Sequence, residues 1–107
     1  MPKAKQKRPE PHAGLLPCHP GEILREIVLP AIARSEEEVA KALGISRKQL
    51  KDLIDERVPV TPVVAVRLEA AFGRSAPDWL RLQETYDLWH ARRSVDVSAI
   101  PRLTAAA

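Results

Sequence analysis

The sequence predicts a small all-α protein of five helices with a flexible tail at each end. Apolar residues recur at intervals of three and four, and Ser, Thr, Pro and Gly stand where helices should begin and end. The chain has 107 residues, of which 45% are hydrophobic and only 4% aromatic. This length suits a single domain, and an aliphatic core suits helices that pack on helices.

Residues 1–18 are predicted to form a flexible basic tail. Basic side chains outnumber acidic ones there, and prolines interrupt the segment at Pro2, Pro9, Pro11 and Pro17. The tail carries the whole net charge of +3, because 13 basic and 13 acidic groups balance over residues 19–107. A DNA contact by the folded part must therefore come from local clustering of charge. For the tail, contact with DNA phosphate and folding on a protein partner both stay open.

Residues 20–29 are predicted to form the first helix. Pro20 suits a first helical turn, and Pro30 is expected to stop the helix. Between them, apolar side chains repeat at helical spacing, at Ile23, Leu24, Ile27 and Val28.

Two short helices are predicted next, each opened by a capping box. Ser35 is followed three residues later by Glu38. Ser46 is followed at the same spacing by Gln49. Such pairs satisfy the free amides at a helix start, and Gly44 suits the left-handed residue that ends the first of the two helices.

Two longer helices complete the predicted domain. Thr61 and Pro62 open the fourth helix, and Gly73 closes it. Ser75 and Pro77 open the fifth, which runs to about residue 93. Their apolar positions are Val64, Ala65, Leu68, Ala71 and Phe72, then Trp79, Leu80, Leu82, Tyr86, Leu88 and Trp89. Residues 94–107 are predicted to form a C-terminal tail.

The second and third predicted helices match the helix-turn-helix pattern. Ala40 is small where the next helix crosses close above it, and Gly44 provides the turn. Val39, Leu50 and Leu53 are placed to hold the two helices together. The third helix is then a recognition helix, whose N-terminal residues enter the major groove of DNA.

A polar and basic cluster occupies the groove-facing positions of that helix: Ser46, Arg47, Lys48, Gln49 and Lys51. Arginine can bind guanine with two hydrogen bonds and glutamine can bind adenine in the same way, whereas lysine more often neutralises phosphate. We therefore expect Arg47 and Gln49 to provide specificity, and Lys48 and Lys51 to provide general affinity. Another interpretation stays open, because Gln49 is also placed to cap Ser46 and a short basic run can be a solvated face.

The sequence offers no arrangement for catalysis or metal binding. His12 and His19 lie on a proline-rich segment, His90 is far along the chain, and Cys18 has no second cysteine at ligand spacing. No apolar run reaches the roughly 18–20 residues that span a membrane. We therefore expect a cytoplasmic protein that is not an enzyme and binds neither a cofactor nor a metal.

Several sequence blocks closely resemble the HigA family of antitoxins. They are His19-Pro20-Gly21-Glu22-Ile23-Leu24, Ala40-Lys41-Ala42-Leu43-Gly44-Ile45-Ser46-Arg47, Thr61-Pro62 with Ala65 and Arg67-Leu68, Trp79-Leu80, and Tyr86-Asp87-Leu88-Trp89. The resemblance covers residues 19 to about 93. It implies a five-helix domain of the phage-repressor (lambda-repressor-like) type, which binds an inverted-repeat operator in its own promoter as a homodimer. It also implies a partner, a HigB toxin similar to ribosome-dependent mRNA endonucleases of the RelE type.

The fifth predicted helix is a candidate dimer interface. A palindromic operator requires two recognition helices about 34–36 Å apart, which a monomer cannot supply. Trp79, Tyr86, Leu88 and Trp89 are more large apolar groups than one short domain obviously needs, and they are expected at a two-fold contact. The alternative is that they cover the core, since periodicity cannot separate core from interface.

Two departures from the HigA pattern add negative charge near the expected phosphate path. Glu36 and Glu37 stand where many relatives have neutral polar groups, and Asp55-Glu56-Arg57 stands where they often have Asn-Gly before a basic residue. DNA affinity is therefore expected to be weaker than the resemblance implies. Two other functions stay open: a repressor that has no toxin partner, and a module that sequesters a protein while its DNA-binding face is inactive.

Overall fold

A computed structural model describes residues 16–105 of the chain, and within this range it contains five helices and no strand. Helix α1 joins three consecutive segments, Pro20–Ile23, Leu24–Val28 and Leu29–Ile32, and it is followed by α2 (Glu36–Leu43), α3 (Arg47–Ile54), α4 (Pro62–Phe72) and α5 (Ala76–Ser94). The predicted all-α class is confirmed. Most of the predicted basic tail, residues 1–15, lies outside the described residues.

Helix α1 does not stop at Pro30, so the predicted end at residue 29 is wrong. Its middle segment is a π-helical turn, in which the Leu29 N–H donates to the Leu24 carbonyl. Proline in a regular α-helix clashes with the carbonyl four residues earlier. A π turn shifts the bonding to the fifth residue back and widens the helix just before Pro30. The helix then continues until Ala33, which has a left-handed φ of 53°.

Both predicted capping boxes are confirmed. The Ser35 hydroxyl accepts from the Glu38 N–H at 3.1 Å, and the Glu38 carboxylate accepts from the Ser35 N–H at 3.0 Å. The Ser46 hydroxyl accepts from the Gln49 N–H at 3.0 Å, and the Gln49 side-chain oxygen accepts from the Ser46 N–H at 2.8 Å. Each box satisfies two amides that a helix start otherwise leaves free.

The turn between α2 and α3 favours glycine at residue 44 because of its backbone conformation. Gly44 has a φ of 75°, which L side chains rarely adopt. A Cβ there would also lie 2.6 Å from Nη1 of Arg67. That guanidinium reaches across from α4 and donates to the Leu43 carbonyl at 2.9 Å, so it satisfies a free acceptor at the end of α2.

The core lies where all five helices meet. Its fully buried side chains are Leu24, Leu50, Ala65, Leu68 and Trp79. Val39, Ala40, Leu43, Leu53, Ile54 and Val60 extend the same cluster. Burial of one such aliphatic or aromatic side chain contributes about 1.5–3 kcal/mol. Since α3 supplies three members, the core fixes which face of α3 remains outside.

A buried glutamine of α5 bonds the loop that precedes α4. Gln83 is buried, and its side-chain oxygen accepts from the Val60 N–H at 2.8 Å, while its amide donates to Asp87 at 2.9 Å. Pro17 and Cys18 are also buried, so packed structure includes the last two residues of the predicted tail. Helix α5 ends at Ser94, within one residue of its predicted end. Over the described range, no helix is long and apolar enough to cross a membrane.

Helix α1 approaches the C-terminal end of α3 very closely at Gly21. A Cβ built on Gly21 would overlap the backbone oxygen of Leu53, and neither backbone can move without disturbing the core. A second contact follows one turn later, where Arg25 Nη1 donates to the Ile54 carbonyl at 2.5 Å. Helix α3 is thus held to α1 through the backbone atoms at its C-terminal end.

Gly21→Ala should therefore destabilise the domain strongly. The overlap is with backbone, so the loss of unfolding free energy should exceed the roughly 1–3 kcal/mol of an ordinary overpacked core. Gly73→Ala is the matched control, because a Cβ on Gly73 meets nothing within 4 Å and only the φ of 87° opposes it. It should cost about 1–2 kcal/mol. Thermal melting measures both variants, and equal melting temperatures would contradict the close approach of α1 and α3.

His19 caps α1 from a buried position. It is 3% exposed, and its Nδ1 accepts from the Gly21 N–H at 2.8 Å. The Tyr86 ring packs edge-on against it at 5.0 Å. Burial lowers the pKa of His19, although the nearby carboxylates of Glu56 and Asp87 oppose the shift. A protonated Nδ1 could not accept the capping bond, so the fold requires the neutral ring.

Stability should consequently fall as the pH drops below the ordinary histidine pKa of about 6.5. The unfolded chain protonates His19 more readily than the folded one, so protons favour unfolding in that window. Melting temperatures recorded from about pH 7.5 to about pH 5.5 should decline more for the natural protein than for His19→Asn, whose side-chain oxygen can still cap α1. The same pH dependence in both proteins would show that another group titrates.

Candidate nucleic-acid interface

Helix α3 has one buried and one exposed face, and the exposed face carries the predicted contact residues. Leu50, Leu53 and Ile54 point into the core. Exposed side chains occupy the other face and the cap, at Ser46, Arg47, Lys48, Gln49 and Lys51. All five predicted DNA-binding residues are therefore exposed to solvent.

Arg47 stands at the first position of α3. Its side chain makes no ion pair or hydrogen bond with any other residue of the 16–105 range. The positive end of the α3 dipole adds to its charge, which favours an approaching phosphate or an electronegative base edge. All five guanidinium donors of Arg47 are thus available to a ligand.

The two lysines of α3 form ion pairs with carboxylates of α3 and of its C-terminal cap. Lys48 Nζ lies 2.7 Å from Asp52, and Lys51 Nζ lies 3.8 Å from Asp55. Arg57, just beyond the helix, lies 3.3 Å from Asp52 and 3.6 Å from Asp55. The hydrogen bond from Lys48, followed by that from Arg57, lowers the pKa of the Asp52 carboxyl below its usual value. This network was not predicted from the sequence, although the spacing of four between the lysines and the aspartates is the signal that predicts such pairs.

Gln49 and Ser46 are both engaged in the cap of α3. The side-chain oxygen of Gln49 already accepts from Ser46, and the Ser46 hydroxyl already accepts from Gln49. The capping role that the sequence left open for Gln49 is therefore present in the structure. A base contact by Gln49 would have to use its amide nitrogen or the second lone pair of its oxygen.

Arg25 holds the C-terminal end of α3 in place, and the sequence analysis did not single it out. Besides its bond to Ile54, it places Nη2 3.2 Å from a carboxylate oxygen of Glu56. Glu56 has a left-handed φ of 63°, at the position where the resemblance to HigA antitoxins leads one to expect glycine. Its carboxylate is paired with α1, so it is not a free negative charge beside α3.

The four aromatic and apolar candidates for a dimer interface separate into two groups. Trp79 has no exposed surface and belongs to the core, as the alternative interpretation held. Leu88 is 44% exposed, and Tyr86 and Trp89 are half-buried. Arg93 lies 3.9 Å above the Trp89 ring. Of the four candidates, Tyr86, Leu88 and Trp89 therefore keep exposed surface that a second protein molecule can contact.

Comparison with known proteins identifies the family. No model of a protein family matches the chain. Antitoxin HigA-1 of Vibrio cholerae is 34% identical over 76 residues, which are 71% of this chain and 71% of that protein. The chain belongs to the HigA family of helix-turn-helix antitoxins. The virulence-associated protein I of Dichelobacter nodosus is 41% identical over 70 residues, but this match spans just under two thirds of that protein, 65%.

Solved structures of antitoxins have the same fold. The antitoxin GraA in complex with its operator superimposes with a TM-score of 0.77 at 32% identity, over 85% of this chain and 95% of GraA. The Pseudomonas aeruginosa antitoxin HigA with the higBA promoter gives a TM-score of 0.70 at 32% identity, over 81% of this chain and 99% of that one. HigA proteins are DNA-binding antitoxins and not enzymes. Within residues 16–105, moreover, no group of three His, Cys, Asp or Glu side chains could hold a metal ion.

Proposed function

We propose that this HigA-family protein binds an inverted-repeat operator in its own promoter as a homodimer and thereby represses its own operon. The observation that carries the proposal is the exposed basic face of α3, with the unpaired Arg47 at the end that would enter the major groove. The GraA and Pseudomonas HigA structures, each solved with promoter or operator DNA, support it.

The residues of α3 and its cap have different roles in DNA binding, according to their chemistry. Arg47 is the base-reading residue, because a free guanidinium can bind the two acceptors of guanine at once. Lys48 and Lys51 contact phosphate, where a point charge is enough. Gln49 and Ser46 hold the helix start in shape, and the amide nitrogen of Gln49 remains available to a base.

Two copies of the domain are needed to read both half-sites. Two recognition helices must lie about 34–36 Å apart to enter successive turns of the same groove. The C-terminal half of α5 is the proposed contact between the copies, since Leu88 is exposed there and the half-buried rings of Tyr86 and Trp89 both pack against His90. Aromatic side chains are typical anchors of such interfaces.

We also propose that the protein binds and neutralises a HigB-like toxin of the RelE type, encoded beside it. The support is membership of a family of antitoxins. The contact residues for the toxin are left unassigned. If no such toxin gene adjoins this one, a repressor that acts alone is the remaining function.

Two substitutions on α3 should separate recognition of bases from general affinity for DNA. Arg47→Ala should weaken binding to the operator by about 1–3 kcal/mol and reduce the preference for it, because a base contact is lost. Lys48→Ala should weaken binding to every sequence and lower the slope of affinity against salt by about one unit. Fluorescence anisotropy measures both, with the duplex upstream of the gene and a scrambled duplex of the same composition at several salt concentrations.

Lys41→Ala is a suitable control, because Lys41 is an exposed cation on α2 rather than on the recognition helix. Its effect should be smaller than that of Lys48→Ala. If Arg47→Ala and Lys48→Ala both left operator binding unchanged, α3 would not be the recognition helix. If the natural protein showed no preference for its own upstream duplex, operator repression would be excluded.

The antitoxin activity predicts rescue of growth. Expression of the neighbouring toxin gene alone should arrest growth, and co-expression of this protein should restore it. Arg47→Ala should rescue equally well, because the base-reading residue is not needed to sequester a protein. Failure of the natural protein to rescue, or to co-purify with the toxin, would contradict neutralisation while leaving the DNA proposal intact.

A further inference from the structure

The outer face of α3 carries a connected network of three cations and two carboxylates. Asp52 bonds Lys48 at 2.7 Å and Arg57 at 3.3 Å. Arg57 also lies 3.6 Å from Asp55, which in turn lies 3.8 Å from Lys51. Every positive side chain on this face other than Arg47 therefore belongs to the network.

The carboxylates lie beneath the cations. The side chains of Asp52 and Asp55 are 18% and 25% exposed, whereas those of Lys48, Lys51 and Arg57 are 83%, 55% and 65% exposed. DNA approaching α3 consequently meets the cations first. The ion pairs with the two aspartates restrict the positions that the charged ends of the cations can adopt.

This arrangement affects sequence-independent binding more than operator binding. Binding to arbitrary DNA draws almost entirely on contacts between cations and phosphates, and it relies on long side chains that adjust to any register. Cations held in ion pairs must leave their carboxylates to make that adjustment. On the operator, contacts with bases fix the register, so cations that are already ordered lose less freedom on binding.

We propose that Asp52 and Asp55 are specificity-determining residues, which hold the phosphate-contacting cations of α3 in place and so suppress binding to non-operator DNA. The inference rests on the operator binding proposed above. It gives a role to two acidic residues that would otherwise only weaken the DNA-binding face, and it assigns base recognition to Arg47, which the network leaves free.

Asp52→Asn keeps the shape of the side chain and removes its charge. Release of exposed ion pairs should raise affinity for a scrambled duplex up to about fivefold per protomer. Affinity for the operator should change less than about twofold, so the ratio of operator to scrambled binding should fall. The slope of scrambled-duplex affinity against salt should steepen, because additional cations reach phosphate. Asp55→Asn should act in the same direction.

Asp78→Asn is the matched control, since Asp78 pairs with Arg81 at 2.6 Å on α5, away from α3. It should leave both affinities unchanged. Circular dichroism melting of each variant verifies that the fold is retained. If Asp52→Asn raised operator and scrambled binding equally, or altered neither, the inference would be overturned although operator binding stood. If the natural protein did not prefer its operator, the proposed function would fail and the inference with it.

Discussion

The close contact between α1 and the C-terminal end of α3 is the constraint on which the rest of the molecule depends. It brings the backbone at Gly21 against the Leu53 carbonyl, and Arg25 bonds both the Ile54 carbonyl and Glu56. A helix of eight residues is too short to be stable alone and takes its orientation from such neighbours. With its far end fixed to α1 and its inner face in the core, α3 presents its N-terminus to solvent in one defined direction.

That orientation determines the electrostatics of the interface. Residues 19–107 of the chain carry no net positive charge. A DNA-binding face on the folded domain can therefore arise only where the helices gather cations locally. Helix α3 does this with three cations that stand above two carboxylates and with Arg47 left unpaired. Two of the acidic residues that look unfavourable for DNA binding in the sequence are partners of basic residues, since Glu56 is bound to Arg25 and Asp55 pairs with Lys51 and Arg57.

Features set by neighbours in the chain were predictable, and features set by tertiary contacts were not. The two capping boxes and the left-handed Gly44 follow from residue types at short fixed spacings, and the structure has all three. The predicted end of α1 at residue 29 was wrong because a π turn accommodates Pro30. No local sequence pattern indicates such a turn. The contacts of Arg25 were not predicted because its partners lie 29 and 31 residues away in the sequence. Periodicity placed Trp79 on an apolar face but could not show that this face is the core.

The central claim is that two copies of this domain place α3 in successive major grooves of one operator. Hydroxyl-radical footprinting combined with guanine methylation interference on the upstream duplex tests it most directly. We expect two related half-sites whose centres are about 10–10.5 base pairs apart, with interference at major-groove guanines in both. A single protected half-site, or interference confined to the minor groove, would contradict it.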